Sequence, residues 1–295
     1  MGYLLALRPH QWVKNSFVLA ALVFSKKFLD MNAVWEALQM VLSFSLAASS
    51  IYLVNDIADY ERDRVHPKKR FRPIASGQIS RVGAGIFGAC IAPIGWYCAW
   101  LLNPACLAVV ALYTIMNLAY STYLKHVVLL DVFIIAAGFL LRVCAGAFAI
   151  QVKVSPWMIM CTFFVALFLA FCKRRHELES LGANAAEHRG ILKNYSLVFI
   201  DKMVSALASL TMMSYALYTI DPQVAANLGT DGLILTLPIV LFGIFRYLYI
   251  VHQEHKGGSP TEVMLKDRSI QVIGILYLTI SVACIYFKIT LGLHR

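Results

Sequence analysis

Val41-Leu42-Ser43-Phe44-Ser45-Leu46-Ala47-Ala48-Ser49-Ser50-Ile51-Tyr52-Leu53-Val54-Asn55-Asp56-Ile57-Ala58-Asp59-Tyr60-Glu61-Arg62-Asp63-Arg64 passes from an apolar to a charged sequence within a few residues. Up to Val54 the side chains are apolar or small. From Asn55 onward the chain sets down four acids and an amide, and His66-Pro67-Lys68-Lys69-Arg70-Phe71-Arg72-Pro73 follows at once with a dense basic cluster. On a helix Asn55, Asp59 and Asp63 stand at i, i+4 and i+8, with Asp56 three before Asp59, so the four share one face. Carboxylates packed this way repel unless a divalent cation lies between them. Oxygen-only ligands suit Mg²⁺, which binds through one or two carboxylates plus substrate phosphates. The basic cluster is placed to hold those phosphates. A solvated, charged helix end is the plainer alternative. The length of the motif and its position at the end of a membrane-length run favour the metal.

The apolar run is one of many. The chain of 295 residues is 60% hydrophobic and 14% charged, with a mean hydropathy of +0.69; a soluble domain carries about 25% charged residues. Apolar stretches long enough to cross a bilayer as helices recur throughout, which predicts an all-α polytopic membrane protein with one transmembrane catalytic domain over residues 1–295. Strand-like alternation is missing, which excludes a β-barrel. Nine spans are expected, at 15–29, 33–54, 82–102, 104–123, 127–150, 156–172, 203–220, 233–251 and 270–290. Residues 3–14 read as interfacial, and no cleavable signal peptide is visible. The two long polar loops, 55–81 and 173–202, follow the second and sixth spans, a spacing that hints at two similar four-helix halves plus a ninth helix.

The net charge of +10 does not call for nucleic acid, because Lys and Arg accumulate in cytoplasmic loops and attract anionic lipid or polyanionic substrates. Of 26 Lys and Arg, 19 fall on the side that holds the N-terminus and the long loops, and five on the other. The positive-inside rule then puts the N-terminus and the polar loops in the cytoplasm. The seven cysteines lie in or at the ends of apolar segments without a C-x-x-C pair, and read as small buried hydrophobes.

Other residues carry chemistry less directly. Arg72-Pro73-Ile74-Ala75-Ser76-Gly77 should turn back over the acidic face as an arginine-bearing lid. Lys173-Arg174-Arg175-His176-Glu177-Leu178-Glu179 opens the second loop, ahead of His188, Arg189, Lys193, Tyr195 and Asp201. Its cations read as membrane anchors or as phosphate ligands. Asp131 and Arg142 sit within the fifth span, eleven residues or about three turns apart, and can share a face without touching. An internal ion pair is the alternative for Arg142. Arg246 lies in the eighth span, within snorkelling reach of its cytoplasmic end. Asn117, Tyr120 and Ser121 end the fourth span and Lys125 follows; for Asn117 and Ser121 the alternative is helix–helix hydrogen bonding. Gly257–Arg268 reads as a turn and a short helix that Thr261 caps. Phosphate-loop, dinucleotide, zinc-hydrolase and nucleophile-elbow motifs are absent.

Asn55-Asp56-x-x-Asp59-x-x-x-Asp63 after the second span resembles the UbiA superfamily of intramembrane prenyltransferases. Arg8-Pro9-His10-Gln11-Trp12-Val13-Lys14-Asn15, Asp63–Gly77, Tyr120-Ser121-Thr122-Tyr123-Leu124-Lys125, Gly138–Arg142, Lys173–Glu177 and Gly243–Tyr247 narrow the likeness to the decaprenyl-phosphate phosphoribosyltransferase branch. The resemblance implies a UbiA-like nine-helix bundle with cytoplasmic polar loops. It also implies Mg²⁺ held by Asn55, Asp56, Asp59 and Asp63, and catalytic use of Asp56, Asp59 and Asp63. The implied reaction is transfer of 5-phosphoribose from phosphoribosyl pyrophosphate to a polyprenyl phosphate, releasing pyrophosphate and supplying a pentose-lipid donor for cell-envelope synthesis. Lys14, Lys69, Arg70, Arg72, Tyr120, Lys125, Arg142, Lys173, Arg174, Arg175, Arg189 and Arg246 are the expected substrate-binding residues. A bacterial-type inner membrane is the expected location, and a homo-oligomer is compatible with the resemblance. Aromatic prenyltransferases of the superfamily carry a second Asp-rich motif after the sixth span; here Lys173, Arg174 and Arg175 with Glu177 stand there. The rival readings are a prenyl transfer to an aromatic or haem acceptor and a lipid or metabolite transporter. Concentration of charge on one side counts against the transporter.

Overall fold

The computed structural model describes residues 2–67, 69–181, 190–256 and 258–292, and among these every regular element is helical. The α-helices are α1 (Gly2–Ala6), α2 (Ala20–Phe24), α3 (Met31–Ala58), α4 (Tyr60–Val65), α5 (Arg81–Leu102), α6 (Pro104–Thr122), α7 (Leu130–Ala149), α8 (Pro156–Leu181), α9 (Leu197–Ile220), α10 (Pro222–Leu228), α11 (Leu237–His252), α12 (Pro260–Lys266) and α13 (Arg268–Tyr286). Short polar side chains start the long ones. Asp30 accepts from Asn32 N at 3.0 Å, Asn103 from Cys106 N at 2.9 Å and Asp267 from Ile270 N at 2.9 Å. These caps satisfy amides that no preceding turn can.

Among the described residues eight helical stretches are long and apolar enough to cross a bilayer: α3, α5, α6, α7, α8, α9, Gly232–His252 and α13. The expected span at 15–29 is not among them. In place of a helix at 15–29 the chain forms a 3-10 helix over Pro9–Leu19 and then the five-residue α2. Lys14, Asn15 and Ser16 at one end, and Ser25, Lys26 and Lys27 at the other, leave too few apolar residues for a crossing. A second correction concerns the expected loop 173–202. α8 runs on to Leu181, so the Lys173–Glu179 charges belong to a helix, and the next helix already begins at Leu197. The 26 residues of α8 reach about 39 Å, more than the roughly 30 Å hydrocarbon layer, which brings its polar end to headgroup depth. A third correction is local. Ser259 caps α12 in place of Thr261, because Pro260 starts the helix and the Ser259 side chain accepts from Glu262 N.

The described chain forms two compact units. The first comprises Met1–Leu22, Phe28–Leu124 and Leu141–Lys153, the second Val23–Lys27, Lys125–Leu140 and Val154–Arg295. In the first, α3 and α5 lie in close contact. A Cβ on Gly95 would stand 3.0 Å from Ser43 O and 3.2 Å from Ala47 N, and Ser43 Oγ donates to Gly95 O at 2.7 Å. Gly146 of α7 is tighter still, with the Val18 carbonyl oxygen 1.9 Å from where a Cβ would be. The Pro9–Leu19 backbone thus rests directly on that helix. In the second unit, Phe168, Ile200, Val204 and Ile250 centre a core contributed by α8, α9 and α11.

Candidate active site

Of the four residues expected to share one face, the first unit brings the Asp56 and Asp63 side chains onto a common partner. Asp59 takes φ −92° and ψ 10° between α3 and α4. The helical ladder continues across it, with Asp59 N donating to Asn55 O at 2.9 Å and Asp63 N to Asp59 O at 2.8 Å. Asp56 and Asp63 are buried, while the Asp59 side chain is 31% exposed. Arg72 Nη1 lies 3.0 Å from Asp56 Oδ1 and 2.5 Å from Asp63 Oδ2, and Arg8 pairs with the same Asp56 oxygen. Lys69 Nζ stands 3.9 Å from Asp63, and Arg62 3.9 Å from Asp59. The turn after Pro73 is anchored beneath this network by Ile74 and Ile79, which pack with Leu53 and Ile91. Arg70 is exposed and lies over Phe71 at 4.8 Å.

Two buried carboxylates that share one nitrogen are within reach of a common cation. Among the described residues no three His, Cys, Asp or Glu side chains converge as a ready metal cage. The oxygen donors of Asp56 and Asp63 are of the type that suits a hard divalent cation such as Mg²⁺, which keeps positions for phosphate and water.

Behind the acids lies a cluster of cations. Arg142, on the half of α7 that belongs to this unit, donates from Nε to Asn15 Oδ1 at 2.8 Å and from Nη2 to Tyr113 OH at 2.9 Å, and Asn15 donates on to Ser45 Oγ at 2.9 Å. Its guanidinium stacks against Tyr113 and Phe44, 4.7 and 5.5 Å from the ring centroids. Lys14, one residue before Asn15, is pushed down to about 8 by burial and by the charges of Arg142 and Arg8. Arg8 is also lowered by burial, lies over Tyr52 at 5.1 Å, and holds φ 53° immediately before Pro9. A left-handed residue before proline is strained and needs outside support. Here the Asp56 ion pair and the Tyr52 ring supply it. Tyr120 is half-buried on α6. Asn117 and Ser121 bond back to their own helix, at Tyr113 O and Asn117 O, rather than across to another.

In the second unit the charges are largely internal. Arg174 is 1% exposed, faces Asp131 Oδ2 at 3.1 Å and pairs with Glu177. Tyr195 OH donates to Asp131 Oδ1 at 2.9 Å and accepts from Leu129 N at 2.8 Å. Burial pushes that phenol up to about 12. Asp131 and Arg142 thus have separate partners, as their three-turn separation allows. Arg175 binds Asp201 and Glu179, both at 2.7 Å. Arg246 binds Asp267 at 2.8 Å and Glu254 at 2.9 Å, and its hydrogen bond holds Asp267 below the usual carboxylate range. Lys173 is 42% exposed, 3.9 Å from Glu177, and Lys125 is half-buried. Arg189 and His188 lie outside the described residues.

Arg8, Asn15, Tyr52 and Tyr113 were not among the expected site residues, although Arg8 and Asn15 delimit one of the stretches that carry the resemblance. A strained backbone beside proline and a polar Asn bonded to Arg142 mark the two in three dimensions.

Comparison with known proteins agrees with this fold. A decaprenyl-phosphate phosphoribosyltransferase of Mycolicibacterium smegmatis is 34% identical, covering 97% of this chain and 93% of that one. A protein of the same name from Corynebacterium glutamicum is 33% identical over 97% and 87%. A UbiA homolog from Archaeoglobus fulgidus, solved bound to GPP and Mg²⁺, shares the fold with a TM-score of 0.72 at 18% identity, over 97% of this chain and 100% of that chain. Residues 16–265 match the UbiA prenyltransferase family throughout, and the chain belongs to that family of membrane transferases.

Proposed function

We propose that the protein transfers 5-phosphoribose from phosphoribosyl pyrophosphate to a polyprenyl phosphate, releasing pyrophosphate. The observation that carries this reading is the pairing of one buried two-carboxylate face with a surplus of cations in the first unit: Asp56 and Asp63 lie beside Arg8, Lys69 and Arg72, and Lys14 lies in the fields of Arg8 and Arg142. The names of the full-length relatives support the same substrates. Asn55, Asp56, Asp59 and Asp63 would hold Mg²⁺, which when bound neutralises the departing pyrophosphate.

The bond from ribose C1 to the pyrophosphate oxygen breaks, with the electron pair leaving on pyrophosphate, and a lipid phosphate oxygen closes on C1 from the opposite face. That oxygen is already ionised, so no residue has to remove a proton, and positioning dominates. Lys14 and Arg142 orient a phosphate from below, and Lys69, Arg70, Arg72 and Tyr120 from the side of the 66–79 turn and α6. Lys173, Lys125 and Arg189, the last outside the described residues, are further candidates from the sequence for phosphate contact. Arg174, Arg175 and Arg246 reach a phosphate only by sharing it with the acids they already bind.

A prenyl transfer using a second metal would need acids after the sixth expected span. Glu177 and Glu179 are there, but both serve arginines of their own helix. The cation asymmetry of the sequence supports a site at the cytoplasmic face of a bacterial-type inner membrane.

The test is direct. Purified protein in lipid nanodiscs receives labelled phosphoribosyl pyrophosphate, a polyprenyl phosphate and Mg²⁺. Label should move into the lipid phase and stop with EDTA. Absence of a labelled lipid, or transfer that survives EDTA, would sink the assignment.

A further inference from the structure

The contact that holds the acidic face together is made by a side chain rather than by the helix itself. Arg72 Nη1 sits 3.0 Å from Asp56 Oδ1 and 2.5 Å from Asp63 Oδ2, and both carboxylates are 2% exposed. Arg8 shares Asp56 Oδ1 with Arg72 but pairs with Asp56 alone, and Lys69 stands 3.9 Å from Asp63, so among the described residues Arg72 is the cation that bridges the two carboxylates. A cation bridging two buried carboxylates is also what the proposed metal site demands. A guanidinium and a divalent ion do not both bridge the pair, because each would face the other at contact distance in a low-dielectric pocket.

We infer that Arg72 and the divalent metal exchange at the Asp56–Asp63 pair. The inference rests on the metal assignment of the proposed function and adds a coupling to it. When the metal takes the carboxylates, the Arg72 guanidinium is displaced and becomes available to a phosphate that the metal also touches. The backbone need not move with it. Ile74 and Ile79 are buried to 1% and 4%, Ser76 N donates to Arg72 O at 2.8 Å and Ile79 N to Pro73 O at 3.1 Å. The turn is fixed on its apolar side, and only the long side chain has freedom to swing. Arg72 is therefore a positioning residue that guards the acids and then turns to the substrate. Diphosphate binding is coupled to metal binding through one guanidinium.

Exchange predicts an opposite sign for two affinities, which a merely structural ion pair does not. Removing Arg72 deletes a competitor, so the metal alone should bind more tightly. It also deletes a phosphate ligand that is free only when metal is present. Mn²⁺ is titrated into the detergent-purified full chain, with the free ion counted by EPR, and inorganic pyrophosphate is titrated by calorimetry with and without the metal. Arg72→Gln should bind Mn²⁺ about ten-fold more tightly, the loss of one charge-assisted hydrogen bond between competitor and site. It should bind pyrophosphate less tightly than the wild type in the presence of metal, and equally in its absence. Arg72→Lys keeps a point charge but loses the planar fork, and should raise metal affinity by a smaller factor. Melting temperature and a monodisperse elution profile establish that each variant is folded. If Arg72→Gln is not, Arg72→Lys carries the comparison. Metal affinity unchanged or reduced in the folded variant would overturn the exchange. Since no ribosyl donor is present, that result would leave the transfer reaction standing, whereas an absent labelled lipid in the assay above would leave the exchange standing.

Discussion

Replacement of Lys14 by Met tests the site through a proton. Lys14 falls from 10.5 to about 8 through burial and the fields of Arg142 and Arg8, so keeping it charged costs the folded protein about 3 kcal/mol. The sign follows from proton counting. Between pH 8 and 10.5 the unfolded chain holds a proton that the folded protein has shed, so wild-type stability rises with pH across that window; below pH 8 the full cost is present. Lys14→Met removes the charge and should raise the melting temperature by several degrees at pH 7. Above pH 10.5 it should gain nothing from this source. A phosphate that meets Lys14 cancels the penalty by restoring the proton. At pH 8, where Lys14 is half-protonated, pyrophosphate binding in the presence of Mg²⁺ should take up about half a proton more in the wild type than in Lys14→Met. Calorimetry in two buffers of different ionisation heat reads this difference directly. Equal proton uptake would show that no phosphate meets Lys14, and an unchanged melting temperature at pH 7 would show that its charge is not strained.

Asp59→Ala should abolish turnover while melting near the wild-type temperature, because its side chain is partly exposed and carries little packing; near-normal transfer rates would remove Asp59 from the metal site. Gly146→Ala places a methyl 1.9 Å from Val18 O and should lower stability by about 1–3 kcal/mol, with loss of phosphate affinity as Asn15 and Lys14 shift, read by thermal melting and pyrophosphate calorimetry. Tyr195→Phe leaves Leu129 N and Asp131 Oδ1 without their hydroxyl partner and should cost about 1–3 kcal/mol at any pH below its titration near 12, seen as a lower melting temperature that does not vary between pH 6 and pH 9.

The membrane helices were legible because bilayer thickness imposes a length on apolar runs, and α5 at 81–102 departs from its expected 82–102 by a single residue. The closeness of Asp56 and Asp63 was legible because their spacing follows helix geometry, which persists through Asp59. Two kinds of information were out of reach. Local charge pairing hid the end of α8: Arg174–Glu177 and Arg175–Glu179 are spaced i, i+3 and i, i+4, and such pairs extend a helix into a sequence that hydropathy reads as a loop. Long-range pairing hid the rest. Arg8 meets Asp56 across 48 residues and Arg142 meets Asn15 across 127, and no local pattern encodes either partner. The N-terminal stretch reads as a short span by hydropathy because its polar residues are counted as exceptions. Two of its residues, Trp12 and Asn15, instead bond to Ser49 and Ser45 of α3.

The contact of Val18 with Gly146 also orders events in time. Arg8, Asp56, Asp63 and Arg72 can find one another once the first quarter of the chain has left the ribosome. Asn15 meets Ser45 early, but it cannot meet Arg142 until the second half of α7 is made, more than a hundred residues later, which at about 5–20 residues per second is on the order of ten seconds. During that interval the Phe44 and Tyr113 rings are made before the guanidinium that stacks on them. The Asp56–Asp63 pair and its arginine are therefore complete early and the Arg142 contacts late, and a membrane insertase that released the N-terminal segment prematurely would separate the two.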